Sequence, residues 1–217
     1  MPEAAKVFDK ANSIIAIRQK GDAYQEAYAR IRRVAAALPD AGDPRTKLLR
    51  VACNDLLMEQ PADGRPHFAL RPHVVEEIHR LEDSQLERYL HYRYRYDMFP
   101  LLHELDDYPP CLQIEPTSIC NYRCVFCYQI DKTFTTPKNG HLGTMSLDRF
   151  KQVVDQAEGH IEAITLASRG EPLLCKDIDQ MLAYTRGKFL ALKINTNASM
   201  LDERKAHAIL QAEPSTL

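Results

Sequence analysis

The first hundred residues carry apolar side chains at the spacing of helices that bury one face. Apolar positions recur every three to four residues over 4–15 and 24–35, which predicts two amphipathic helices. Asp43 followed by Pro44 predicts the start of a third helix. Aspartate accepts hydrogen bonds from the free backbone N–H groups of a first turn, and proline fits the first helical position.

A fourth helix is predicted over "LERYLHYRYRYDMF", with Ser84 and Glu87 as its capping pair and Pro100 as its end. The run "YRYRY" also alternates like a strand, and arginines mixed with tyrosines are typical of base stacking. A solvated helix with a tyrosine stripe packed inward is the preferred interpretation. Nothing in this helical region indicates a particular chemistry.

From Cys111 onward, short apolar strands alternate with amphipathic helices. Strands are predicted within "CLQIEP", "EAITLAS" and "LALKINTN", and helices within "SLDRFKQVVDQAEG", "DIDQMLAYTRG" and "DERKAHAIL". Strands separated by helices of this length form βαβ units and a parallel sheet. The chain is therefore predicted to be an α/β protein, with an all-helical domain over residues 1–105 and an α/β domain over 106–217.

The predicted strands have one apolar and one polar face. Alternate positions carry Leu112, Ile114, Ile164, Leu166, Leu190, Leu192 and Ile194. The positions between them carry Gln113, Glu115, Thr165, Ala167, Lys193 and Asn195. Because a sheet covered by helices on both faces is apolar on both, the polar face predicts a sheet curved around a ligand cavity, as in an open barrel. The candidates for lining that cavity are Glu115, Thr165 and Lys193.

The composition of the chain limits the kinds of partner that the protein can bind and the cellular compartment in which we expect it. The 217 residues carry a formal charge of −2, which gives no basic field for nucleic acid or an anionic membrane. No apolar run suits a transmembrane helix, and "MPEAAKVFDKANS" lacks the apolar core of a secretory signal. We therefore expect a cytoplasmic protein without nucleic-acid or membrane partners, whose thiols stay reduced. The isolated cysteines are predicted to be small buried side chains: Cys53, Cys111 and Cys175.

The other three cysteines lie within "ICNYRCVFCY" (119–128), directly after the first predicted strand, and are Cys120, Cys124 and Cys127. Thiolates are soft ligands that select zinc, copper(I) or iron–sulfur clusters. A structural zinc site takes four protein ligands. The three cysteines would therefore need a distant fourth ligand such as His141 or Cys111. Three cysteines on a four-iron cluster instead leave one iron open to a substrate or cofactor.

The spacing C-x3-C-x2-C after a first strand, with Phe126 before the last cysteine, resembles the radical S-adenosylmethionine (radical SAM) enzymes. After the second strand, Gly170, Glu171 and Pro172 are similar to the Gly-Gly-Glu-Pro motif of that family. Arg169 replaces its first glycine. This replacement leaves the backbone hydrogen bonds of the motif possible.

The stretch "NTNAS" (195–199) after the third strand is similar to the Asn-Thr-Asn-Gly segment of many members, with Ala198 in place of glycine. An asparagine-rich turn that caps a helix explains this stretch equally well. The motifs together look most like the branch of the family whose members often carry a cysteine-rich C-terminal extension.

The resemblance implies a mechanism and a set of site residues. The three cysteines of 119–128 are implied to hold a [4Fe–4S] cluster whose fourth iron binds S-adenosylmethionine. Reductive cleavage of S-adenosylmethionine gives a 5′-deoxyadenosyl radical, which removes a hydrogen atom from the substrate. The implied cofactor-binding residues are Phe126, Tyr128, Gly170, Glu171, Pro172, Asn195 and Asn197. A flavodoxin or ferredoxin is implied as the reductant, and a peptide, a sugar or a small metabolite as the substrate.

The resemblance also implies a fold, a partial (β/α)6 TIM-like barrel. The chain supplies three βα units, so it is expected to be the N-terminal portion of a longer enzyme. Two other interpretations remain. One is a non-catalytic zinc or iron–sulfur module, zinc being held by the three cysteines and a histidine, joined to a helical partner-binding domain. The other is a helical interaction protein whose α/β part is a degenerate scaffold.

Overall fold

The computed structural model describes residues 21–40, 42–58, 66–167 and 169–215. The chain divides into two compact units, residues 1–105 and 106–217. The helix predicted over residues 4–15 lies outside the described residues. In the part that the structure describes, no helix is both long enough and apolar enough to cross a membrane.

The described residues of the N-terminal unit form four helices, α1 (Gly21–Ala37), α2 (Pro44–Leu57), α3 (Pro72–Arg80) and α4 (Asp83–Leu102). The predicted cap of α2 is confirmed, because the Asp43 carboxylate accepts a 2.9 Å hydrogen bond from the Thr46 N–H. Arg30 on α1 is buried. Its guanidinium donates to the Ile78 and Leu81 carbonyls at the end of α3.

Two details of this unit differ from the sequence prediction. The capping box of α4 is formed by Glu82 and Gln85, not by Ser84 and Glu87. The helix also continues through Pro100 and ends at His103, which has a left-handed backbone (φ 55°). A proline inside a helix removes one backbone hydrogen bond and disfavours the helical conformation of the residue before it. In α4 only two residues follow Pro100, so the proline lies at the very end of the helix. The run "YRYRY" lies within α4 and is therefore helical and not a strand, in agreement with the preferred interpretation of the sequence.

The C-terminal unit is built on a three-stranded parallel sheet in the order β1-β2-β3, with β1 at Cys111–Ile114, β2 at Ala163–Leu166 and β3 at Ala191–Ile194. Its helices are α5 (Lys132–Thr135), α6 (Leu147–Ala157), α7 (Ile178–Thr185) and α8 (Glu203–Ala212). The caps of α6 and α8 are Ser146 and Asp202, whose side chains accept hydrogen bonds from backbone N–H groups three residues on. The mixed α/β class and parallel pairing are as predicted.

The two faces of the sheet differ as the sequence predicts. Ile114, Leu166 and Ile194 are aligned across the strands and are buried among α6, α7 and α8. On the opposite face, Gln113 and Lys193 are exposed. Parallel strands place their carboxyl ends at one edge of the sheet, where α/β proteins bind ligands. The three loops with recognisable motifs all leave this edge.

Candidate functional site

The loop after β1 is anchored by hydrogen bonds before it reaches the cysteines. Thr117 pairs with Thr144 in an isolated antiparallel bridge. The Ser118 N–H donates to the Gly143 carbonyl at 2.9 Å, and the Ser118 hydroxyl donates to the His141 carbonyl at 2.9 Å. These bonds fix the chain entering Cys120. Nothing in the sequence motif indicated this anchor.

Cys120, Cys124 and Cys127 are free, half-buried thiols on one loop. The Cys127 N–H donates to the Cys124 carbonyl at 2.9 Å, which closes a turn between them. Phe126, at the tip of this turn, is 90% exposed. In the described part of the chain, no three histidine, cysteine, aspartate or glutamate side chains form a group that could hold a metal ion. The sulfurs therefore do not converge here, although three soft thiols on one loop are a donor set that fits an iron–sulfur cluster.

Gly170 brings the loop after β2 against the loop after β1. A Cβ atom at this position would lie 1.7 Å from the Thr117 carbonyl oxygen and 3.0 Å from that of Ile119. The next residue completes the contact, because the Glu171 N–H donates to the Ile119 carbonyl at 2.9 Å. A side chain at 170 would push the two loops apart. The second glycine of the motif is thus required by backbone packing.

The carboxylate of Glu171 is almost fully buried and is used within the protein. It accepts hydrogen bonds from the Leu173 N–H at 3.0 Å, from the Thr196 hydroxyl, and from the Asn197 N–H at 2.7 Å. The first bond caps the turn that begins at Pro172. The other two join the end of β2 to the end of β3. In this structure the side chain of Glu171 therefore orders the loops of the site.

The loop after β3 contacts the cysteine loop through the side chains of Asn197 and Ser199. The Asn197 amide donates to the Asn121 carbonyl oxygen at 3.1 Å and lies 3.9 Å from the Cys120 sulfur. The Asn121 amide donates to the Ser199 hydroxyl at 2.7 Å. Ala198 between them has a left-handed backbone (φ 57°), the conformation that favours glycine. The "NTNAS" stretch thus contacts the cysteine motif directly.

Gln129 is a site residue that the sequence analysis missed. Its side-chain amide donates to the Ser118 carbonyl at 3.0 Å and to the Arg169 carbonyl, linking the loops after β1 and β2. The residue is buried, and its Oε1 atom has no hydrogen-bond partner in the part of the chain that the structure describes. No sequence signal could have identified Gln129, because a glutamine two residues after Cys127 looks like an ordinary surface residue.

Arg169, which replaces the first glycine of the family motif, forms an ion pair with Glu115. Its Nε atom lies 3.2 Å from both carboxylate oxygens of Glu115. Both side chains are partly exposed. Tyr128 is close by: burial raises the pKa of its hydroxyl, Arg169 opposes that rise, and Glu115 and Cys127 add to it. Glu115, which was predicted to line a cavity, is thus one partner of a charged pair at the carboxyl edge of the sheet.

The other predicted residues lie around this centre. Asn195 is exposed at the end of β3, and its N–H donates to the Leu166 carbonyl at 3.3 Å. Thr165 is half-buried and Lys193 is exposed on the polar face. His141 is exposed and its ring packs near Phe134. Tyr128 and Phe134 also meet edge to face.

The isolated cysteines differ from one another. Cys53 and Cys175 are fully buried, as predicted, whereas Cys111 is half-buried on β1. Burial raises the pKa of all three thiols, that of Cys53 to about 11. A thiol that resists deprotonation is a poor metal ligand and a poor nucleophile. These three cysteines are therefore poorer candidates for metal ligands than the cysteines of the loop after β1.

Comparison with known proteins agrees with this geometry. Residues 114–217 match the family model described as the Radical SAM superfamily. The chain is 29% identical over 106 residues to Fe-coproporphyrin III synthase of Methanosarcina barkeri (strain Fusaro / DSM 804), covering 49% of this chain and 25% of that protein. The chain thus spans about a quarter of the length of this curated relative.

Two solved structures are also similar to half of the chain. Selenomethionine BtrN in an open conformation matches with a TM-score of 0.37 and 23% identity, covering 51% of this chain and 49% of BtrN. BtrN in complex with AdoMet and 2-DOIA matches with a TM-score of 0.40 and 24% identity, covering 51% and 44%. The family match spans β2, β3 and the three loops that form the site. Over residues 114–217 the chain is thus similar to the radical SAM superfamily.

Proposed function

We propose that the α/β unit is part of a radical SAM enzyme, in which Cys120, Cys124 and Cys127 hold a [4Fe–4S] cluster and S-adenosylmethionine binds the iron without a cysteine ligand. The observation that carries this proposal is the meeting of three loops. The cysteine loop, the Gly170–Glu171 loop and the Asn197 loop are hydrogen-bonded to one another at the carboxyl edge of the sheet. Three free thiols match the donor set of such a cluster.

When bound, the cluster and S-adenosylmethionine would supply reductive radical chemistry that removes a hydrogen atom from the substrate. The residues of the chain hold and shield the reactants. Gly170 packs the loop after β2 against the loop after β1, and Glu171 and Pro172 of that loop would hold the methionine part of S-adenosylmethionine. Phe126, exposed at the tip of the cysteine turn, would pack against the adenine with help from Tyr128. Asn195 lies at the same edge and completes the cofactor contacts.

The polar face of the sheet is proposed to face the substrate, as in a partial (β/α)6 barrel. Gln113, Thr165 and Lys193 are aligned across the three strands. The Glu115–Arg169 pair lies just beyond the ends of β1 and β2, at the carboxyl edge of the sheet. This face offers charges and hydrogen-bonding groups to a peptide, a sugar or a small metabolite. A one-electron donor such as a flavodoxin or ferredoxin is the proposed reductant.

Anaerobic reconstitution with iron and sulfide tests this function. We expect about four irons per chain, an electron paramagnetic resonance (EPR) spectrum that changes when S-adenosylmethionine is added, and release of 5′-deoxyadenosine after reduction. Cys124→Ala should abolish all three signals, whereas Cys111→Ala, a matched change at a half-buried cysteine outside the motif, should preserve them. One tightly held zinc per chain, with no cluster, would support the non-catalytic module instead.

A further inference from the structure

The side-chain amide of Asn197 has a defined orientation. Its Oδ1 atom accepts hydrogen bonds from the Ser199 N–H at 2.9 Å and the Ser199 hydroxyl at 2.6 Å. Because a backbone N–H can only donate, the oxygen end of the amide must face Ser199. The Nδ2 end therefore faces the cysteine loop. There it donates to Asn121 at 3.1 Å and lies 3.9 Å from the sulfur of Cys120.

Cys120 receives a second N–H group at its sulfur. The backbone N–H of Tyr122 lies 3.4 Å from the same Sγ atom. Among the described residues, the sulfurs of Cys124 and Cys127 have no hydrogen-bond donor of this kind. The three thiols are thus unequal, and Cys120 is the one whose sulfur faces two N–H groups.

The residue that supplies the side-chain N–H is firmly held. The Asn197 backbone N–H is bound at 2.7 Å by the carboxylate of Glu171, a residue only 2% exposed. The Asn121–Ser199 hydrogen bond, at 2.7 Å, ties the same two loops a second time. These bonds hold the Asn197 side chain beside the Cys120 sulfur. Partners of this kind tune metal sites from outside the ligand set.

We propose that Asn197 is a positioning residue that donates an N–H···S hydrogen bond to the Cys120 thiolate and raises the reduction potential of the cluster that Cys120 holds. Hydrogen bonds to the sulfurs are one of the factors that set the potential of iron–sulfur clusters. An N–H dipole aimed at sulfur stabilises the reduced cluster, which carries more negative charge. This inference rests on the proposed function. It gives Asn197 a role toward the cluster, in addition to any contact with S-adenosylmethionine.

The test is a redox titration of the reconstituted full chain, followed by EPR. Asn197→Leu removes the donor at similar volume, and Asn197→Asp replaces it with a negative charge. Both should lower the midpoint potential, the leucine variant by about 59 mV, which is a tenfold change in the ratio of oxidised to reduced cluster for one electron. The aspartate variant should show a larger shift. Gln211→Leu, which makes the same kind of amide-to-aliphatic change on the exposed surface of α8, should leave the potential unchanged.

A second measurement avoids dependence on the variants. In wild-type chain labelled with ¹⁵N at asparagine side chains, electron–nuclear double resonance of the reduced cluster should show a coupled ¹⁵N nucleus. A wild-type chain that holds the cluster without this coupling, or variants whose potential equals that of wild type, would overturn this inference alone. A wild-type chain that takes up no cluster would overturn the proposed function together with it.

Discussion

The carboxylate of Glu171 binds the backbone N–H of Asn197, with 2.7 Å between Oε2 and the nitrogen. This single contact joins the loop after β2 to the loop after β3. The same carboxylate also accepts from Leu173 and Thr196. A motif residue that sequence comparison would assign to the cofactor is therefore, in this chain, also the centre of the hydrogen-bond network that holds the site together.

Replacing Glu171 by glutamine should destabilise the α/β unit. The glutamine amide places N–H donors against groups that are themselves donors, so at least one buried hydrogen bond is lost. We expect the free energy of unfolding in urea, followed by circular dichroism, to fall by about 1–3 kcal/mol. Glu203→Gln, on the exposed surface of α8, should change it by less than about 1 kcal/mol. Equal effects of the two variants would contradict this role of Glu171.

Gly170→Ala should disrupt the packing of the two loops. The added Cβ would meet the Thr117 carbonyl oxygen at 1.7 Å, and backbone atoms have little freedom to move away. We expect a loss of about 3 kcal/mol or more in unfolding free energy, seen as a lower melting temperature. Gly143→Ala is the control, because a Cβ there meets no atom within 4 Å. A Gly170→Ala protein as stable as the Gly143→Ala protein would refute the close approach.

Ala198→Gly should stabilise the chain, although it removes a methyl group. Ala198 has φ 57°, and a left-handed backbone costs a residue with a Cβ about 1–2 kcal/mol. Part of this gain is offset by the greater freedom of glycine in the unfolded chain. We expect a net rise of roughly 1 kcal/mol in unfolding free energy. The same substitution at Ala206, inside α8, should lower it by about 1 kcal/mol, and a loss at both positions would contradict the prediction.

Cys53 should make the stability of the N-terminal unit depend on pH in the alkaline range. Burial, with a smaller effect of Glu87, raises the pKa of its thiol from 9.0 to about 11. The folded state thus holds the proton more tightly than the unfolded state. This stabilising contribution is complete below pH 9 and disappears as the pH rises through about 11.

The measurement is urea unfolding of wild type and Cys53→Ala between pH 8 and pH 11. Other groups that titrate in this range affect both proteins alike, so the difference between them isolates Cys53. Wild type should lose more stability than the variant as the pH rises. Parallel curves would mean that the Cys53 thiol ionises equally well in the folded and unfolded chain.

Local sequence rules predicted the scaffold well. Alternation with a period of two identified the buried row Ile114, Leu166 and Ile194, because a one-residue shift would have placed polar side chains in the core. Asp43 and Ser146 marked the starts of two helices, since their caps depend on residues only three positions away. Helix α3 was missed because its apolar run is short.

The hydrogen bonds of the site were beyond the reach of local rules. Gln129 contacts the carbonyls of Ser118 and Arg169, 11 and 40 positions away. Asn197 meets Cys120 across 77 positions. Such pairs depend on how the parallel strands bring distant loops to one edge of the sheet. The sequence motifs identified which loops matter, and the structure shows which of their atoms touch.

The central claim is that three cysteines suffice to hold the cluster. The most direct measurement is the iron and acid-labile sulfide content of a reconstituted chain in which Cys53, Cys111 and Cys175 are all replaced by alanine, leaving Cys120, Cys124 and Cys127 as its remaining thiols. We predict about four irons and four sulfides per chain, as in wild type. A chain that loses its iron on this change, or holds a single zinc, would contradict the claim.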